Sequence, residues 1–376
     1  MKIERSLFPI LKKDLSTTDK VVILYGARQT GKTTLSNDLL KIINGKILKI
    51  NADEEKYLDI LSSRDLEKIK LLTGGYDVLF IDEAQRIGNI GINLKIIHDG
   101  IPNLKLLVTG SSSFDLAKQI SEPLTGRTST YKLFPISLKE LSKTRNVFEL
   151  QDRLEDFMVY GMYPDMFNYN SFEKKGKYLR ELASAYLYKD IFEISQIRNI
   201  SKIRDLLRLL AFQIGSEVSL NELANNLGLS QETVNSYIDL LEKSFIVFRL
   251  SGFSRNLRKE ITKRDKIFFW DLGIRNTLID NLSSLNKRND TGALWENFIV
   301  AERMKYLDYN EIFASSYFWR TYTGAELDYV EEHNGELFAY EIKYKKPKLK
   351  APKTWVDNYS NNYKCITRDN FWEFVI

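Results

Sequence analysis

The first third of the chain alternates short, largely apolar runs with longer stretches whose apolar residues recur at helical spacing. Val21 to Leu24, Gly45 to Ile50, Asp77 to Ile81, Leu104 to Thr109 and a segment around Thr130 to Phe134 read as strands. The first, Val21 to Leu24, is apolar throughout and β-branched, as a buried parallel strand requires. After the first of them, Leu35, Leu39, Leu40 and Ile43 recur as on a helix, and Gly45 sits where that helix would stop. About five strands alternating with helices predict an α/β sheet.

The pattern then changes. Residues around 150 to 200 read as helices with regular leucine and aromatic positions. In SLNELANNLGLSQETVNSYIDLLEKSFIVFRL, Ser219 to Leu250, the framework of Leu220, Leu223, Leu227, Tyr237, Ile238 and Leu241 surrounds Ala224, Gly228 and Val234. A small residue for close helix contact, a glycine for a sharp turn and a valine to pack the second helix give a helix-turn-helix, with Phe245 to Leu250 beginning a wing. Thr291 to Glu302 reads as an amphipathic helix, and strands follow at Tyr317 to Thr321, Glu326 to Val330 and Leu337 to Tyr344. The last two flank Asn334-Gly335, the strongest short hairpin signal.

Composition narrows the class. With 376 residues and 43% hydrophobic content the chain is long enough for two or three domains, each with its own core. One cysteine, Cys365, and two histidines, His98 and His333, exclude a disulfide framework and a Cys/His metal site. The N-terminal apolar run LFPIL is too short for a signal sequence and no later run reaches membrane-spanning length. A cytoplasmic, soluble protein with no membrane partner is expected. The net charge of +5 is unevenly spread: Lys343 to Lys353 carries six lysines and no acid, and Arg255 to Lys266 carries six basic residues against Glu260 and Asp265. Such runs are either solvated surface or a contact for a polyanion such as DNA.

The most specific motif follows the first strand. Gly26-Ala27-Arg28-Gln29-Thr30-Gly31-Lys32-Thr33 fits G-x-x-x-x-G-K-[ST], with Thr34 leading into the helix. Glycines let the backbone N–H groups and the helix N-terminus cradle phosphates, Lys32 neutralises the β- and γ-phosphates, and the Thr33 hydroxyl ligates Mg2+. Asp82 and Glu83 close a second strand. Asp82 is placed to hold the magnesium and Glu83 to orient or deprotonate the attacking water. Ser111, after the strand Leu104 to Thr109, is a candidate γ-phosphate sensor or an ordinary turn residue; Arg127 is an arginine finger or a surface residue. These residues predict binding and hydrolysis of ATP with Mg2+.

The stretches GARQTGKTTL, VLFIDEAQRI and LLVTGSSS, with their spacing, resemble the AAA+ branch of P-loop ATPases. YGMYPDMF, AYLYKDIFEI and FFWDLGIRN further resemble a prokaryotic family of such ATPases with a C-terminal domain of unassigned function. The presumed recognition helix exposes Gln231, Glu232, Thr233, Asn235, Ser236 and Asp239 and no arginine, so domain packing and DNA contact both fit it.

The Asn334-Gly335 turn fixes a register in which His333 faces Glu336, Val330 faces Ala339, Asp328 faces Glu341 and Glu326 faces Lys343. Glu326 and Lys343 would form a cross-strand ion pair. Asp328 and Glu341 would meet as like charges that need a cation or proton between them. With Glu296 on the preceding helix, the set Glu296, Asp328, Glu341 and Lys343 resembles the PD-(D/E)xK nuclease superfamily, although Leu327 stands where the motif's proline would be. The resemblance implies carboxylates that hold magnesium and a lysine that positions water.

The expected organisation is an AAA+ core over residues 1–145, a helical lid over 146–200, a winged helix-turn-helix over 201–265 and a restriction-endonuclease-like α/β domain over 266–376. The expected function is a nucleotide-dependent switch acting on DNA. An ATP-gated metal-dependent nuclease and a non-cutting, ATP-regulated protein-interaction module are the alternatives. Arginine fingers that work between subunits make a homo-oligomer a further expectation.

Overall fold

The computed structural model describes residues 3–110, 124–185, 200–255, 264–348 and 350–376. After helix α1 (Leu7–Thr17), the chain alternates β1 (Val21–Tyr25), α2 (Lys32–Leu40), β2 (Ile47–Asn51), α3 (Glu55–Ser62), α4 (Leu66–Thr73), β3 (Val78–Asp82), α5 (Ile90–Gly100), β4 (Lys105–Gly110) and β5 (Thr128–Lys132). The strands lie in the order β2-β3-β4-β1-β5, every pair parallel. All five residues of β1 are buried, as a strand covered by helices on both faces requires. Parallel pairing aligns the strands' carboxyl ends. Tyr25 lies beside Gly110, and Ile81 beside Val108, so the segments after β1, β3 and β4 open at one edge, where ligands of such sheets bind.

A helical region follows with α6 (Leu138–Ser142), α7 (Val147–Asp152), α8 (Leu154–Tyr160), α9 (Phe172–Ala185) and α10 (Ile200–Phe212). Capping boxes at Ser137 and Asn146 start the first two helices by satisfying otherwise orphaned backbone N–H groups. Helices α11 (Leu220–Leu227) and α12 (Gln231–Lys243) are joined where Gly228 adopts the left-handed φ of 62°. Ser219 and Ser230 cap their N-termini.

A second sheet contains β6 (Val247–Gly252), β7 (Lys266–Phe269), β8 (Ser315–Arg320), β9 (Glu326–His333), β10 (Glu336–Ile342) and β11 (Tyr363–Ile366), in the order β11-β10-β9-β8-β6-β7. Between β7 and β8 run α13 (Leu272–Leu278) and α14 (Thr291–Tyr309); α15 (Lys353–Asn358) and α16 (Trp372–Val375) complete the chain. The expected break between residues 265 and 266 falls between paired strands, since β6 pairs with β7 and also, in parallel, with β8. The presumed wing is thus continuous with the C-terminal sheet. Its backbone hydrogen bonds are satisfied by that sheet, which the local pattern of Phe245 to Leu250 did not reveal.

A second correction concerns the helix expected to be amphipathic. α14 runs on to Tyr309, and Leu294, Trp295, Ile299, Val300, Glu302, Lys305 and Leu307 are all buried, so it has no wet face of consequence. Asn297 exchanges hydrogen bonds with the backbone of Phe269 (2.7 and 2.8 Å), and Arg303 forms a bidentate pair with Glu331 (2.6 and 2.8 Å). α14 is the central post of the second half. The helices before it are tied to the same post region, because the Asn276 amide donates to the carbonyls of Met158 and Val159 at 2.9 Å. Among the described residues, no helix is long and apolar enough to cross a membrane.

Asp290, just before α14, accepts from Arg275 (2.6 Å) and Arg288 (2.8 Å), whose side chains are buried. Burial alone would raise its carboxyl pKa, but hydrogen bonds from Arg288 and Arg275 override that and lower it to about 2. A lowered pKa contributes stability above the unfolded value near 3.8 that is lost as pH falls towards about 2. Asp290→Asn should therefore cost about 2 kcal/mol at neutral pH. In urea unfolding followed against pH, the gap from wild type should close between those two values.

Candidate functional site

The sharp turn after β1 starts at Gly26, where a Cβ would run into the Leu133 carbonyl, and ends at Gly31, whose left-handed φ of 95° caps α2. Between them the Thr30 hydroxyl bonds the Ala27 carbonyl (2.8 Å) and Gln29 accepts from the Tyr178 hydroxyl of α9 (2.7 Å). Lys32 is buried, its ammonium on the carbonyls of Gly26 and Ala27 at 2.9 Å each. Arg28 is partly buried, while the side chains of Thr33 and Thr34 are exposed at the start of α2.

The second strand end meets this loop directly. Thr33 donates to Asp82 Oδ2 at 2.8 Å, and the Thr109 hydroxyl donates to Asp82 Oδ1. Thr109 also accepts the backbone N–H of Glu83 (3.3 Å). The Glu83 side chain, on a residue with φ 55°, accepts from Gln85 at 2.5 Å. A hydroxyl paired with an acceptor-only carboxylate at the mouth of a phosphate loop is a donor set suited to Mg2+, which prefers oxygen ligands and waters.

Arg5 supports the loop from behind. Its guanidinium reaches the Thr30 carbonyl (2.6 Å), the Phe134 carbonyl (2.6 Å) and Glu140 Oε1 (2.9 Å). The sequence offered no sign of this, since Arg5 is one basic residue before an apolar helix. Thr109 was legible only as a strand end, although its position opposite Leu24 on β1 places it at the site edge. Ser111 lies outside the described residues. Arg127 lies elsewhere: its carbonyl accepts from Val21 at the start of β1, the opposite end of the sheet from the loop, and its guanidinium pairs with Asp99 at 2.9 Å, as the surface alternative has it. It is not placed to reach the phosphate loop of its own chain.

The C-terminal residues form a second charged cluster. The β9–β10 ladder has His333 opposite Glu336 and Val330 opposite Ala339, as the turn predicts. Asp328 and Glu341 are buried, and the Lys343 ammonium sits on both, 3.0 Å from Asp328 Oδ2 and 2.9 Å from Glu341 Oε1. The cation required between the like charges is thus the chain's own lysine. Lys343 does not pair with Glu326, whose neighbour is Arg320 at 4.0 Å. Lys348 adds a second contact to Glu341 Oε1 (3.2 Å), while the buried Glu341 Oε2 has no hydrogen-bond partner among the described residues.

Glu296 is held instead by Lys266 at 2.8 Å. Burial raises its pKa to about 7, against the pull of Lys266 and with a further push from Asp328. Lys266, taken with its neighbours as a solvated basic run, is itself buried. Of that run, residues 256–263 lie outside the described segments. Among the described residues no group of three or more His, Cys, Asp or Glu side chains is gathered to hold a metal ion. On α12, Asp239 (2.6 Å) and Glu242 pair with Arg249, which offsets the negative charge of that helix.

Comparison with known proteins places the first part of the chain. Residues 18–142 match the AAA domain family, residues 151–285 a domain of unknown function (DUF8612), and residues 291–369 another domain of unknown function (DUF4143). The chain is 29% identical over 326 residues to an uncharacterized protein of Mycobacterium tuberculosis, covering 86% of this chain and 70% of that one. It is 26% identical over 319 residues to an uncharacterized protein of Methanocaldococcus jannaschii, covering 77% and 71%. A solved structure of a Walker-type ATPase of Pyrococcus abyssi superposes with a TM-score of 0.49 at 15% identity, covering 72% of this chain and 94% of that one. Residues 18–142 thus match an AAA domain, and in the structure they form a parallel α/β sheet with the phosphate-loop motif at its edge.

Replacing Thr109 by valine keeps the shape and deletes the hydroxyl that joins Glu83 to Asp82. Steady-state phosphate release should fall about tenfold or more, equivalent to ~1.4 kcal/mol of barrier, with little change in KM for ATP. Unchanged turnover would remove Thr109 from the site.

Proposed function

We propose that the chain binds Mg-ATP across the segment Gly26 to Thr34 and hydrolyses it with Glu83. The observation that carries this reading is the convergence of Thr33 and Thr109 on the two oxygens of Asp82, beside a phosphate loop whose lysine is folded inward. Thr33 and Asp82 are the residues that would hold magnesium, which when bound supplies charge neutralisation to the phosphates. Lys32 exchanges its two loop carbonyls for phosphate oxygens. The N–H groups at the start of α2 add a favourable dipole. Glu83 orients the attacking water and takes its proton, with Gln85 steadying the carboxylate and Thr109 fixing the backbone beneath it. Lys32→Ala should abolish nucleotide binding, and Glu83→Gln should keep binding while reducing turnover by about 100-fold or more. Full hydrolysis in both variants would sink the reading.

The nucleotide state is proposed to act on the second half of the chain. Phe134, whose carbonyl is held by Arg5, donates its N–H to the Tyr309 hydroxyl of α14 (3.0 Å), and Leu138 N–H donates to Glu302 of α14 (2.6 Å). α14 carries Glu296 and Arg303 towards the second sheet. A contiguous hydrogen-bonded path thus supports a switch in which the loop and the C-terminal sheet share one rigid element. DNA is the proposed object of that switch, met by α11, α12 and the strand after them acting as a winged helix, with the lysines of 343–353 beside it.

A second reading makes the C-terminal cluster a metal-dependent nuclease gated by ATP. Its support is Glu341 Oε2, a buried carboxylate oxygen beside Asp328 and Lys343 that has no hydrogen-bond partner among the described residues. Asp328 and Glu341 would hold the metal, and Lys343 would move off them to steady the phosphate. Plasmid nicking in magnesium or manganese, lost in Asp328→Ala and in Lys343→Ala, is the expected result; no cleavage across both metals and across linear, supercoiled and single-stranded DNA would overturn it.

A further inference from the structure

The phosphate loop is gripped from two sides. Behind it, Arg5 takes the Thr30 carbonyl (2.6 Å). From the helical region, the Tyr178 hydroxyl of α9 donates to Gln29 Oε1 (2.7 Å) across a separation of 149 residues. Gln29 is an unusual place to take hold. Within Gly26 to Thr34 it alone combines a Cβ with a positive φ, 60°. That left-handed conformation is disfavoured for any residue with a Cβ and persists where the surroundings fix it. It also has a use, because turning the backbone in this way brings successive N–H groups round to one side and makes a concavity that receives an anion. The φ of Gln29 therefore sets where the loop N–H groups point, and its side chain is the handle by which α9 holds it.

The Gln29 side chain is exposed, so a bond to it counts only if the donor is already in place. Two contacts place it. Lys175, one helical turn before Tyr178, sets its ammonium on both oxygens of Asp156 of α8 (2.6 and 2.7 Å), which ties α9 to α8. The Tyr178 ring packs on Tyr169 with centroids 5.6 Å apart. With the ring fixed, little side-chain freedom is left to lose when the hydroxyl meets Gln29. Burial, with the charge of Asp165 beside it, pushes the Tyr178 pKa well up, so the hydroxyl remains a proton donor at neutral pH.

Resting on the proposal that nucleotide binds at Gly26 to Thr34, we infer that Tyr178 is a positioning residue for that binding: its hydroxyl holds Gln29 in the left-handed conformation and so pre-forms the phosphate cradle from α9. Tyr178 acts through the loop and not on the reacting atoms. A cradle formed in advance spares the ligand the cost of ordering it. By linkage, nucleotide in the loop strengthens the hold on α9 by the same factor as that hold strengthens nucleotide binding. The helical region is thereby joined to the nucleotide site by a contact separate from the path through α14.

The test is a double-mutant cycle on the full chain, with Kd for a non-hydrolysable ATP analogue in magnesium measured for wild type, Tyr178→Phe, Gln29→Leu and the double variant. Tyr178→Phe deletes the hydroxyl and keeps the ring; Gln29→Leu deletes the acceptor and nearly keeps the shape. Each single change should raise Kd about threefold to tenfold. The double variant should be no weaker than the weaker single one, because the bond can be lost only once. In steady state, KM for ATP should rise by a similar factor in Tyr178→Phe while kcat stays within about twofold of wild type. A lower melting temperature in Tyr178→Phe with Kd and KM at their wild-type values would reduce the contact to packing and overturn the inference. Weaker binding in Tyr178→Phe with Gln29→Leu at the wild-type Kd would put the hydroxyl to work elsewhere and overturn it too, as would fully multiplicative effects in the double variant. No nucleotide binding by wild type would overturn the binding proposal and this inference with it. Binding by wild type and an equal Kd in all three variants would overturn the role of Tyr178 alone.

Discussion

The Arg5 guanidinium is the interaction on which the rest of the molecule depends. It is buried, and each of its nitrogens has a separate acceptor: the Thr30 carbonyl inside the phosphate loop, the Phe134 carbonyl beyond β5, and Glu140 at the start of α6. Glu140 is equally committed, since its oxygens also accept the backbone N–H of Ser6 (2.8 Å) and Ser137 (2.9 Å). A buried pair with all its remaining hydrogen bonds satisfied adds little net stability over an apolar replacement, but breaking one partner costs about 3–5 kcal/mol. What it contributes is geometry: the N-terminal Arg5, the phosphate loop and the segment from Phe134 to Glu140 are fixed around one point behind the loop.

From that point the constraint passes outward. Phe134 leads to Tyr309, Leu138 leads to Glu302, and both acceptors belong to α14. The same helix holds β7 through Asn297 and β9 through Arg303. A helix buried along most of its length cannot shift without disturbing every layer it touches, because packed interiors have few alternative arrangements. This is why the nucleotide site and the C-terminal sheet are best regarded as the two ends of one element. It also accounts for the charged residues buried on α14, each of which is spent on a named partner.

Much of this was legible in the sequence where the signal is local. The phosphate loop, the run ending in Asp82-Glu83 and the Asn334-Gly335 turn each rest on residues adjacent in the chain, and the strands and the hairpin register follow them closely. What escaped was set by partners distant in sequence. Arg5 lies 135 residues from Glu140, and no periodicity near Arg5 marks it. Thr291 to Glu302 reads as amphipathic, but Glu302 is buried in an ion pair with Lys305 and Glu296 is largely buried against Lys266. The like-charge argument for Asp328 and Glu341 asked for a cation or a proton between them, and Lys343, two residues from Glu341 on the same face of the strand, sits on both. Arg127 lies away from the loop of its own chain for a topological reason: in a parallel sheet the residue preceding β5 lies at the opposite end from the loop that follows β1.

On the proposed function, a magnesium-bound nucleotide occupies the loop at Gly26 to Thr34. Calorimetric titration of the full chain with a non-hydrolysable ATP analogue, first in magnesium and then in EDTA, reads that occupancy. One site per chain, weakened about tenfold or more in EDTA, or ~1.4 kcal/mol, is the result that follows from Thr33 and Asp82 holding the metal. Absence of binding, or an affinity indifferent to magnesium, would contradict it.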